Sequence, residues 1–384
     1  MRFEFATATR IIFGAGAINE VASLASGMGQ RAFMVTGYHV DRAASLMKAF
    51  KGHDIIVTQF SVTGEPTTQT AHSGVQKARS AKADLVVAIG GGSVIDTGKV
   101  VAALLTNSGE LTDYLEVIGK AKPLVNNCAP FIAIPTTAGT GAEVTRNSVL
   151  GSPTHRVKVS MRSPLMLPRL AVVDPELTYS MPPNITATTG LDAFTQLLEA
   201  FVSNQANPMT DGICREGLNR ASKALQRAYE NGDDMRARED MCVASLFGGL
   251  ALANVKLGAV HGIAGPFGGM YPAAHGAICA RLLPYVMETN ISALRLRAPD
   301  SPTLTRYNEV AQILTQEITA TAEDGIAWVQ DVCAKFKTPT LSQYGLNIRD
   351  FDLVVEKSQK ASSMQGNPIK LTDDELKEVL RKAM

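Results

Sequence analysis

The stretch that decides the fold is ADLVVAIGGGSVIDTGKVVAALL, residues 83–105. A β-branched apolar run, three glycines and a segment with helical spacing follow one another, which predicts a strand, a tight turn and a helix. Glycines at the end of a strand let the backbone approach a ligand closely, and the N-terminus of the next helix favours an anion. A plain βα turn that happens to use glycine is the alternative, because neither GxGxxG nor GxxxxGK[ST] is present. The stretch therefore predicts a βα unit with a candidate phosphate site at Gly90, Gly91, Gly92 and Ser93.

Similar strands recur on both sides of this stretch up to about residue 180. Apolar runs at 32–37, 54–60, 131–137 and 169–175 alternate with segments of helical spacing. This alternation predicts βαβ units and a parallel sheet. A second polar loop, PTTAGTGAEVT at 135–145, also follows a strand, and open sheets of this kind bind ligands at the carboxyl ends of their strands. Two polar loops at that edge predict a dinucleotide site.

The pattern changes after MPPNIT, residues 181–186, where two prolines interrupt the chain. β-branched runs nearly vanish beyond this point, and helical periodicity continues to the tail, where Thr372 and Glu375 have the spacing of a capping box. We therefore predict two domains: a Rossmann-like α/β domain over 1–182 and an all-α domain over 183–384. A chain of 384 residues is long enough for two cores.

The overall composition is that of an ordinary globular protein. Lysine and arginine number 37 against 36 acidic residues, so no charge excess favours a nucleic acid or an anionic membrane as partner. No apolar run reaches the roughly 18 residues of a membrane span. The five cysteines are odd in number and contain no CxxC pair, which predicts reduced thiols, mostly buried, and a cytoplasmic location.

One predicted helix, TGLDAFTQLLEA at 189–200, carries Asp192 and Gln196 four residues apart in an apolar run, so both side chains lie on one face. Further along, His261 and His275 flank HGIAGPFGGMYPAAH, whose glycines and prolines permit an irregular path that could bring both rings to one point. Two imidazoles and two oxygen donors suit Fe²⁺ or Zn²⁺. A buried Asp–His pair without a metal is the alternative that the spacing leaves open.

Taken together, these segments resemble the iron-containing alcohol dehydrogenase family, also called group III. The resemblance extends over most of the chain and is carried by motifs in the order FGAG (13–16), GGGSVIDTGK (90–99), PTTAGTGAEVT (135–145), MPPNITATTGLDAFTQLLEA (181–200), VHGIAGPFGG (260–269), PAAHG (272–276) and GNPIKLT (366–372). It implies the architecture shared with dehydroquinate synthase, with NAD or NADP, a divalent metal (Fe²⁺ or Zn²⁺) and a small alcohol or aldehyde substrate. A homodimer is also expected, and neither nucleic acid nor membrane is expected as partner.

Carried over residue by residue, the resemblance implies the metal ligands Asp192, Gln196, His261 and His275. It implies cofactor contacts at Gly37, Gly91, Gly92, Ser93, Thr136, Thr137, Thr145 and Lys158. No catalytic residue is assigned.

Three positions depart from the family pattern. Gln196 stands where the family has a histidine, so weaker metal binding is expected. Gly265 replaces a histidine that assists the substrate or relays a proton in family members. Gly37 replaces an acidic residue that repels the 2′-phosphate of NADP, so the sequence leaves NAD and NADP open.

The implied function is the interconversion of an alcohol and an aldehyde or ketone, with the metal polarising the substrate oxygen and hydride exchanged with the nicotinamide. Two alternatives remain. A lyase related to dehydroquinate synthase would have the same architecture, although the GGGSVIDTGK and PTTAGTGAEVT motifs argue against it. Gln196 and Gly265 leave a nucleotide-binding protein with weak or lost dehydrogenase activity.

Overall fold

The computed structural model describes residues 2–384 and divides into two compact units, one of Ala6–Tyr179 and one of residues 2–5 with Ser180–Met384. The first unit is an α/β structure. Its elements are β1 (Ile11–Phe13), α1 (Val21–Ser26), β2 (Arg31–Thr36), α2 (Ala44–Gly52), β3 (Ile56–Ser61), α3 (Thr68–Ser80), β4 (Leu85–Gly90), α4 (Gly92–Thr106), α5 (Leu111–Tyr114), β5 (Phe131–Pro135), β6 (Asn147–Ser152), β7 (Val157–Arg162) and β8 (Leu170–Val173).

Six strands of this unit form a parallel sheet in the order β1-β8-β5-β4-β2-β3. Successive side chains of a strand point to opposite faces. Phe33 and Val86 accordingly pack into the core under α3 and α4, whereas Met34 and Val87 pack into the core under α1 and α2. Both faces are therefore buried, which is why the central strands are apolar along their whole length.

The strand order reverses beside β2, because β3 lies on one side of it and β4 on the other. At such a switch point the loops after neighbouring strands diverge and leave a crevice for a ligand. The loops that follow β2, β4 and β5, which begin at Gly37, Gly91 and Thr136, lie at this crevice.

One glycine of the motif after β4, Gly98, is needed for the packing of α4 against the sheet. A Cβ on Gly98 would lie 2.8 Å from the Cβ of Ala88 and 2.8 Å from the ring of Phe131. Glycine at this position lets α4 lie directly on strands β4 and β5.

One part of this unit differs from the expected pattern. The strands β6 and β7 form an antiparallel pair outside the main sheet, with Asn147 opposite Arg162 and Ser152 opposite Val157. Its buried positions on β6 are Ser148, Leu150 and Ser152, two of them polar, so the alternation that marks a strand is weak in the sequence.

The second unit is helical throughout. Its helices are α6 (Pro183–Val202), α7 (Pro208–Glu230), α8 (Met235–Asn254), α9 (Ala259–Met270), α10 (His275–Arg297), α11 (Pro302–Thr315), α12 (Ala322–Lys335), α13 (Phe351–Gln359) and α14 (Asp373–Ala383). The two prolines expected to interrupt the chain instead begin α6, as N-cap and first residue. Proline is favoured at the first helical position because its missing N–H has no intrahelical partner there. The predicted fold class, a Rossmann-like α/β unit followed by an all-α unit, is confirmed.

The glycine- and proline-rich segment after His261, whose composition permits an irregular path, is helical. Helix α9 continues through Gly265 and Pro266 to Met270 and is followed by a short connection before α10 begins at His275. Pro266 has no N–H and therefore cannot donate the backbone hydrogen bond that another residue would make at this position. The packing of the buried side chains of α9, among them Ile263 and Phe267, offsets that loss.

None of the described helices is by itself long and apolar enough to cross a membrane. Helices α8 and α9 reach that length and apolar content only when they are taken together, and the chain bends by 93° between them.

The packing of α4 predicts opposite effects of one substitution at two glycines. Gly98→Ala should lower the free energy of unfolding by about 1–3 kcal/mol, because the added methyl group overpacks the contact with Ala88 and Phe131. Gly212→Ala, on the exposed face of α7 where no atom lies within 4 Å of an added Cβ, should raise it by about 0.5–1 kcal/mol. Urea denaturation of both variants tests this, and equal midpoints would contradict the proposed packing role of Gly98.

Candidate metal and cofactor sites

A cavity of ≈ 170 Å³ lies at the switch point of the sheet. Four of the predicted cofactor residues line it, namely Gly37, Gly91, Thr136 and Thr137, and Arg42 lines it too. A typical ligand pocket measures roughly 300–1,000 Å³, so this cavity is large enough for only part of a dinucleotide. Gly91 is also the N-cap of α4, whose first backbone N–H groups are free of intrahelical partners and favour an anion.

The other four predicted cofactor residues lie outside the lining of this cavity. Gly92 is required for packing, since a Cβ there would lie 2.9 Å from Thr140, and Ser93 follows it in the first turn of α4. The hydroxyl of Thr145 accepts a hydrogen bond from Lys99 at 2.7 Å. Lys158, on β7, forms an ion pair with Glu65 at 3.0 Å.

The charged residues of the GGGSVIDTGK motif hold the β6–β7 pair against α4. Buried Lys99 donates to the carbonyl of Asn147 at 2.7 Å, and Asp96 accepts from the amide of Val149 at 2.9 Å. Burial lowers the pKa of Lys99 to about 8 and raises the pKa of nearby Glu143 to about 7. Lys99 and Asp96 thus connect α4 to β6 through hydrogen bonds.

In the helical unit, α6 directs three polar side chains into a buried cluster. Asp192, Gln196 and Glu199 are spaced by four and three residues, which places them on one face of the helix. All three are buried. Buried carboxylates are costly unless they are paired or bound to a cation.

The two predicted histidines meet Asp192 in the same cluster. His261, on α9, has its Nε2 atom 3.5 Å from Asp192 Oδ1, and the Nε2 atom of His275, the first residue of α10, lies 3.7 Å from the same oxygen. The two ring centroids are 5.3 Å apart. The structure thus brings together the two histidines that the sequence separates by 14 positions.

Glu199 fixes the orientation of His261. Its carboxylate lies 2.7 Å from the Nδ1 atom of His261 and also accepts from the backbone N–H of Val260 at 2.7 Å. Because a carboxylate can only accept, Nδ1 must carry the proton. In the neutral ring the lone pair is therefore on Nε2, the atom that faces Asp192, and this is the arrangement in which carboxylates hold metal-binding histidines.

The Glu199 carboxylate also takes the place of a capping side chain at the start of α9. The N-cap residue is Gly258, which has no side chain, and Glu199 together with Asn367 Oδ1 accepts the first N–H groups of the helix. A Cβ on Gly258 would lie 2.7 Å from Glu199 and 2.9 Å from Asn367. Asn367 is held by a hydrogen bond of 2.7 Å to Asn290.

Gln196 lies beside Asp192 with its amide nitrogen toward the carboxylate. Nε2 donates to Asp192 Oδ2 at 3.3 Å, whereas Oε1 is buried without a hydrogen-bond partner. Oε1 faces α8, because a Cβ built on Gly248 would lie 3.0 Å from it. For this oxygen to bind a cation near Asp192, the amide must rotate by half a turn.

A residue that sequence reasoning missed completes the cluster. Cys279, one helical turn after His275 on α10, has its Sγ atom 3.7 Å from Nε2 of His275 and 3.9 Å from Nε2 of His261. The ligand atoms of Asp192, His261, His275 and Cys279 all lie within 4.8 Å of one another.

The atoms of this cluster fit a cation. Asp192 Oδ1 is buried and has no hydrogen-bond partner, although the Nε2 lone pair of His261 faces it. Two acceptors directed at each other in a buried place repel unless a proton or a metal ion lies between them. Burial alone would raise the pKa of Asp192, but the positive charge that His261 and His275 carry when they are protonated outweighs burial and holds this pKa below its usual value. The cluster is therefore suited to bind a positive charge.

The residues that sequence reasoning missed left signals of different strength. Glu199 belongs to the same quoted helix and continues the face of Asp192 and Gln196. Cys279 follows His275 at helical spacing, a signal that depends on knowing that His275 begins a helix. Asn367 lies in GNPIKLT, about 110 residues from its partner Ala259, and only the fold brings the two together.

Comparison with known proteins agrees with this combination of a parallel α/β unit and a buried carboxylate–imidazole cluster on helices. The profile of the iron-containing alcohol dehydrogenase family matches residues 8–175, and its C-terminal counterpart, the Fe-containing alcohol dehydrogenase family, matches residues 186–384. The chain is 37% identical over 324 residues to alcohol dehydrogenase 4 of Schizosaccharomyces pombe, covering 84% of this chain and 74% of that protein.

Solved structures give the same result. A crystal structure of 1,3-propanediol oxidoreductase superposes with a TM-score of 0.92 and 30% identity, covering all of both chains. Sulfoacetaldehyde reductase from Bifidobacterium kashiwanohense, solved in complex with NAD⁺, gives a TM-score of 0.86 and 28% identity over 100% of this chain and 99% of that one.

The molecule is thus an oxidoreductase of the alcohol dehydrogenase type. The chain belongs to the iron-containing alcohol dehydrogenase family, which confirms the predicted resemblance and the predicted class of reaction. The family implies a nicotinamide cofactor and a divalent metal.

The position of Glu199 predicts a stability effect that does not require metal. In protein stripped with EDTA, Glu199→Ala should lower the free energy of unfolding by about 1–3 kcal/mol, because buried N–H groups at the start of α9 and on His261 lose their acceptor. Glu199→Gln should cost less, since the amide oxygen can still accept one of these bonds. Urea denaturation measures both, and an Ala variant as stable as the parent would contradict the capping role.

Proposed function

We propose that this protein interconverts an alcohol and an aldehyde or ketone with NAD or NADP, using a divalent metal held by the helical unit. The observation that carries the proposal is Asp192 Oδ1, a buried oxygen without a hydrogen-bond partner, at which two imidazole Nε2 atoms converge. Asp192, His261 and His275 are the proposed ligands, with Gln196 next to them. Fe²⁺ and Zn²⁺ both accept such donors.

The metal, when bound, supplies Lewis acidity that polarises the oxygen of the substrate. The protein's own residues keep its ligands ready for binding. Glu199 holds the Nδ1 proton of His261 and so keeps the Nε2 lone pair directed toward Asp192. Gly265, in the described part of α9, leaves open space where the resemblance expects an assisting histidine, since no atom lies within 4 Å of a Cβ built there. No side chain at that position relays a proton.

The cofactor is proposed to bind at the switch point of the α/β unit. The cavity lined by Gly37, Gly91, Thr136 and Thr137 supports this, because it joins a helix N-terminus, which favours a phosphate, with hydroxyl groups that can donate to one. Gly92, Ser93, Thr145 and Lys158 remain predicted contacts by resemblance. Since the cavity accommodates only part of a dinucleotide, the rest must lie beyond its lining.

We propose that the protein accepts NADP as well as NAD. Gly37 offers no carboxylate to repel a 2′-phosphate, and Arg42 lines the same cavity and carries a positive charge that would attract one. On the resemblance we further propose a homodimer acting on small alcohols and aldehydes in the cytoplasm. None of the five cysteines, all in the described part of the chain, is in a disulfide, which supports a reducing compartment.

A single experiment tests the proposed reaction. The purified protein, analysed for metal content, is assayed by NADH and NADPH absorbance with a panel of short alcohols, aldehydes and 2-hydroxy compounds. Metal-dependent turnover with either cofactor supports the proposal. Cofactor binding without turnover on the whole panel at full metal loading would support the weak-activity alternative instead.

The proposed metal ligands predict that His275→Ala lowers metal content and activity together. The protein should remain folded, because the side chain of His275 is 30% exposed and its loss leaves no large cavity. Exposed His53 in the α/β unit gives the matched control, and His53→Ala should keep both properties. Metal analysis and circular dichroism are the measurements, and full metal content in the His275 variant would overturn the assignment.

The open position of Gly37 predicts control over cofactor choice. Gly37→Asp should weaken NADPH binding by about 1–3 kcal/mol relative to NADH, because a carboxylate beside the 2′-phosphate adds like-charge repulsion. A Cβ is tolerated there, since the nearest atom, Cγ2 of Val94, lies 3.8 Å away. Gly37→Asn has nearly the same size without the charge and should change the NADPH-to-NADH ratio much less. Fluorescence titration gives both affinities, and equal behaviour of the Asp and Asn variants would place the position away from the 2′-phosphate.

A further inference from the structure

Cys279 lies where a metal ligand is expected, although neither the sequence analysis nor the family resemblance assigns it that role. It follows His275 by four residues on α10, so the two side chains lie on one helix face. The thiol is completely buried, its Sγ atom lies 3.7 Å from Nε2 of His275 and 3.9 Å from Nε2 of His261, and the carboxylate of Asp192 is a further polar neighbour.

The distances match those between ligands of one tetrahedral metal ion. Zinc lies about 2.0–2.1 Å from nitrogen and about 2.3 Å from sulfur, so two tetrahedral ligands are separated by about 3.3–3.6 Å. The cluster has 3.5 Å and 3.7 Å between Asp192 Oδ1 and the two histidine nitrogens, and 3.7 Å and 3.9 Å between the sulfur and the same nitrogens. Each of these four distances is within a few tenths of an ångström of that range, and all the ligand atoms of the four residues lie within 4.8 Å of one another.

Gln196 is less well placed to complete this set. Its Nε2 atom faces Asp192 as a donor, which repels a cation, and its Oε1 atom faces Gly248 on α8. Ligation by Gln196 requires the amide to rotate, whereas ligation by Cys279 requires no change of side-chain direction.

We propose that Cys279 is the fourth protein ligand, in the role that the resemblance gives to Gln196. The proposal rests on the metal site of the proposed function and specifies its chemistry. One carboxylate, two imidazoles and one thiolate form a set that favours Zn²⁺ over Fe²⁺, because sulfur is a softer donor than the imidazole it replaces. A neutral amide would not give this preference.

Cobalt substitution tests the ligand directly and without an activity assay. Co²⁺ added to the metal-stripped protein should give visible d–d bands together with a near-ultraviolet sulfur-to-cobalt charge-transfer band. Cys279→Ser should lose the charge-transfer band and keep the d–d bands. Gln196→Ala should keep both, and Cys128→Ser, at a partly buried cysteine of the α/β unit, is the matched control and should also keep both.

Zinc affinity gives the second measurement, by competition with a chromophoric chelator. Cys279→Ser and Cys279→Ala should weaken Zn²⁺ binding by about tenfold or more, the scale on which changes around a metal centre act, and Gln196→Ala should weaken it less. The Ser variant is nearly isosteric, which guards against a loss caused by misfolding.

Two results would overturn the inference, and they differ in what they imply. Bound cobalt without a charge-transfer band, or zinc affinity lost in Gln196→Ala but retained in Cys279→Ser, leaves the metal site intact and returns the fourth position to Gln196. Failure of the parent protein to bind cobalt or zinc at all removes the metal site itself, and with it the metal-dependent function proposed above.

Discussion

The helical site depends on one buried carboxylate, that of Glu199. It accepts the first N–H groups of α9 and the Nδ1 proton of His261, so the position of the helix and the direction of its histidine have the same cause. Without that bond the ring could turn, and the Nε2 lone pair would no longer face Asp192. Gly258 follows from the same constraint, because any side chain there would occupy the space of the carboxylate. Glu199, which is not itself a proposed ligand, therefore orients one of the proposed ligands, His261.

The α/β unit shows how one motif can both pack within the protein and line a cavity. In GGGSVIDTGK, Gly91 borders the cavity at the switch point, whereas Gly92 and Gly98 are required by contacts with Thr140 and with Ala88 and Phe131. Asp96 and Lys99 hold the β6–β7 pair. Burying these charges is costly unless they are paired, and Asp96 and Lys99 lie 3.7 Å apart and bond to the backbone of β6.

Much of the fold could be predicted from the sequence because its strands are buried on both faces and therefore read as continuous apolar runs. The hairpin β6–β7 could not, since polar Ser148 and Ser152 occupy its buried positions. Helix α9 could not be predicted either, because its glycines and proline disfavour a helix locally. Acceptors from distant parts of the chain, Glu199 and Asn367, cap its N-terminus and stabilise it. The aspartate and both histidines of the candidate site were recognisable as ligand types, but the second carboxylate acquires its meaning only through the contact with His261.

The departures of this chain from the family pattern are better understood together than singly. Replacing a histidine by Gln196 removes an imidazole from the cluster, and taken alone this change predicts a weakened or lost metal site. The structure, however, has a sulfur atom 3.7 Å from His275 on the neighbouring helix. In the proposed ligand set the sulfur on α10 compensates for the imidazole missing from α6, because a metal-bound thiolate carries a negative charge and binds borderline metals more strongly than a neutral amide does. Gly265 has no such counterpart among the described residues around it, since a Cβ there would meet no atom within 4 Å. The two departures on α6 and α9 thus differ: the one at Gln196 has a candidate replacement among the neighbouring side chains, and the one at Gly265 leaves open space around its Cβ position.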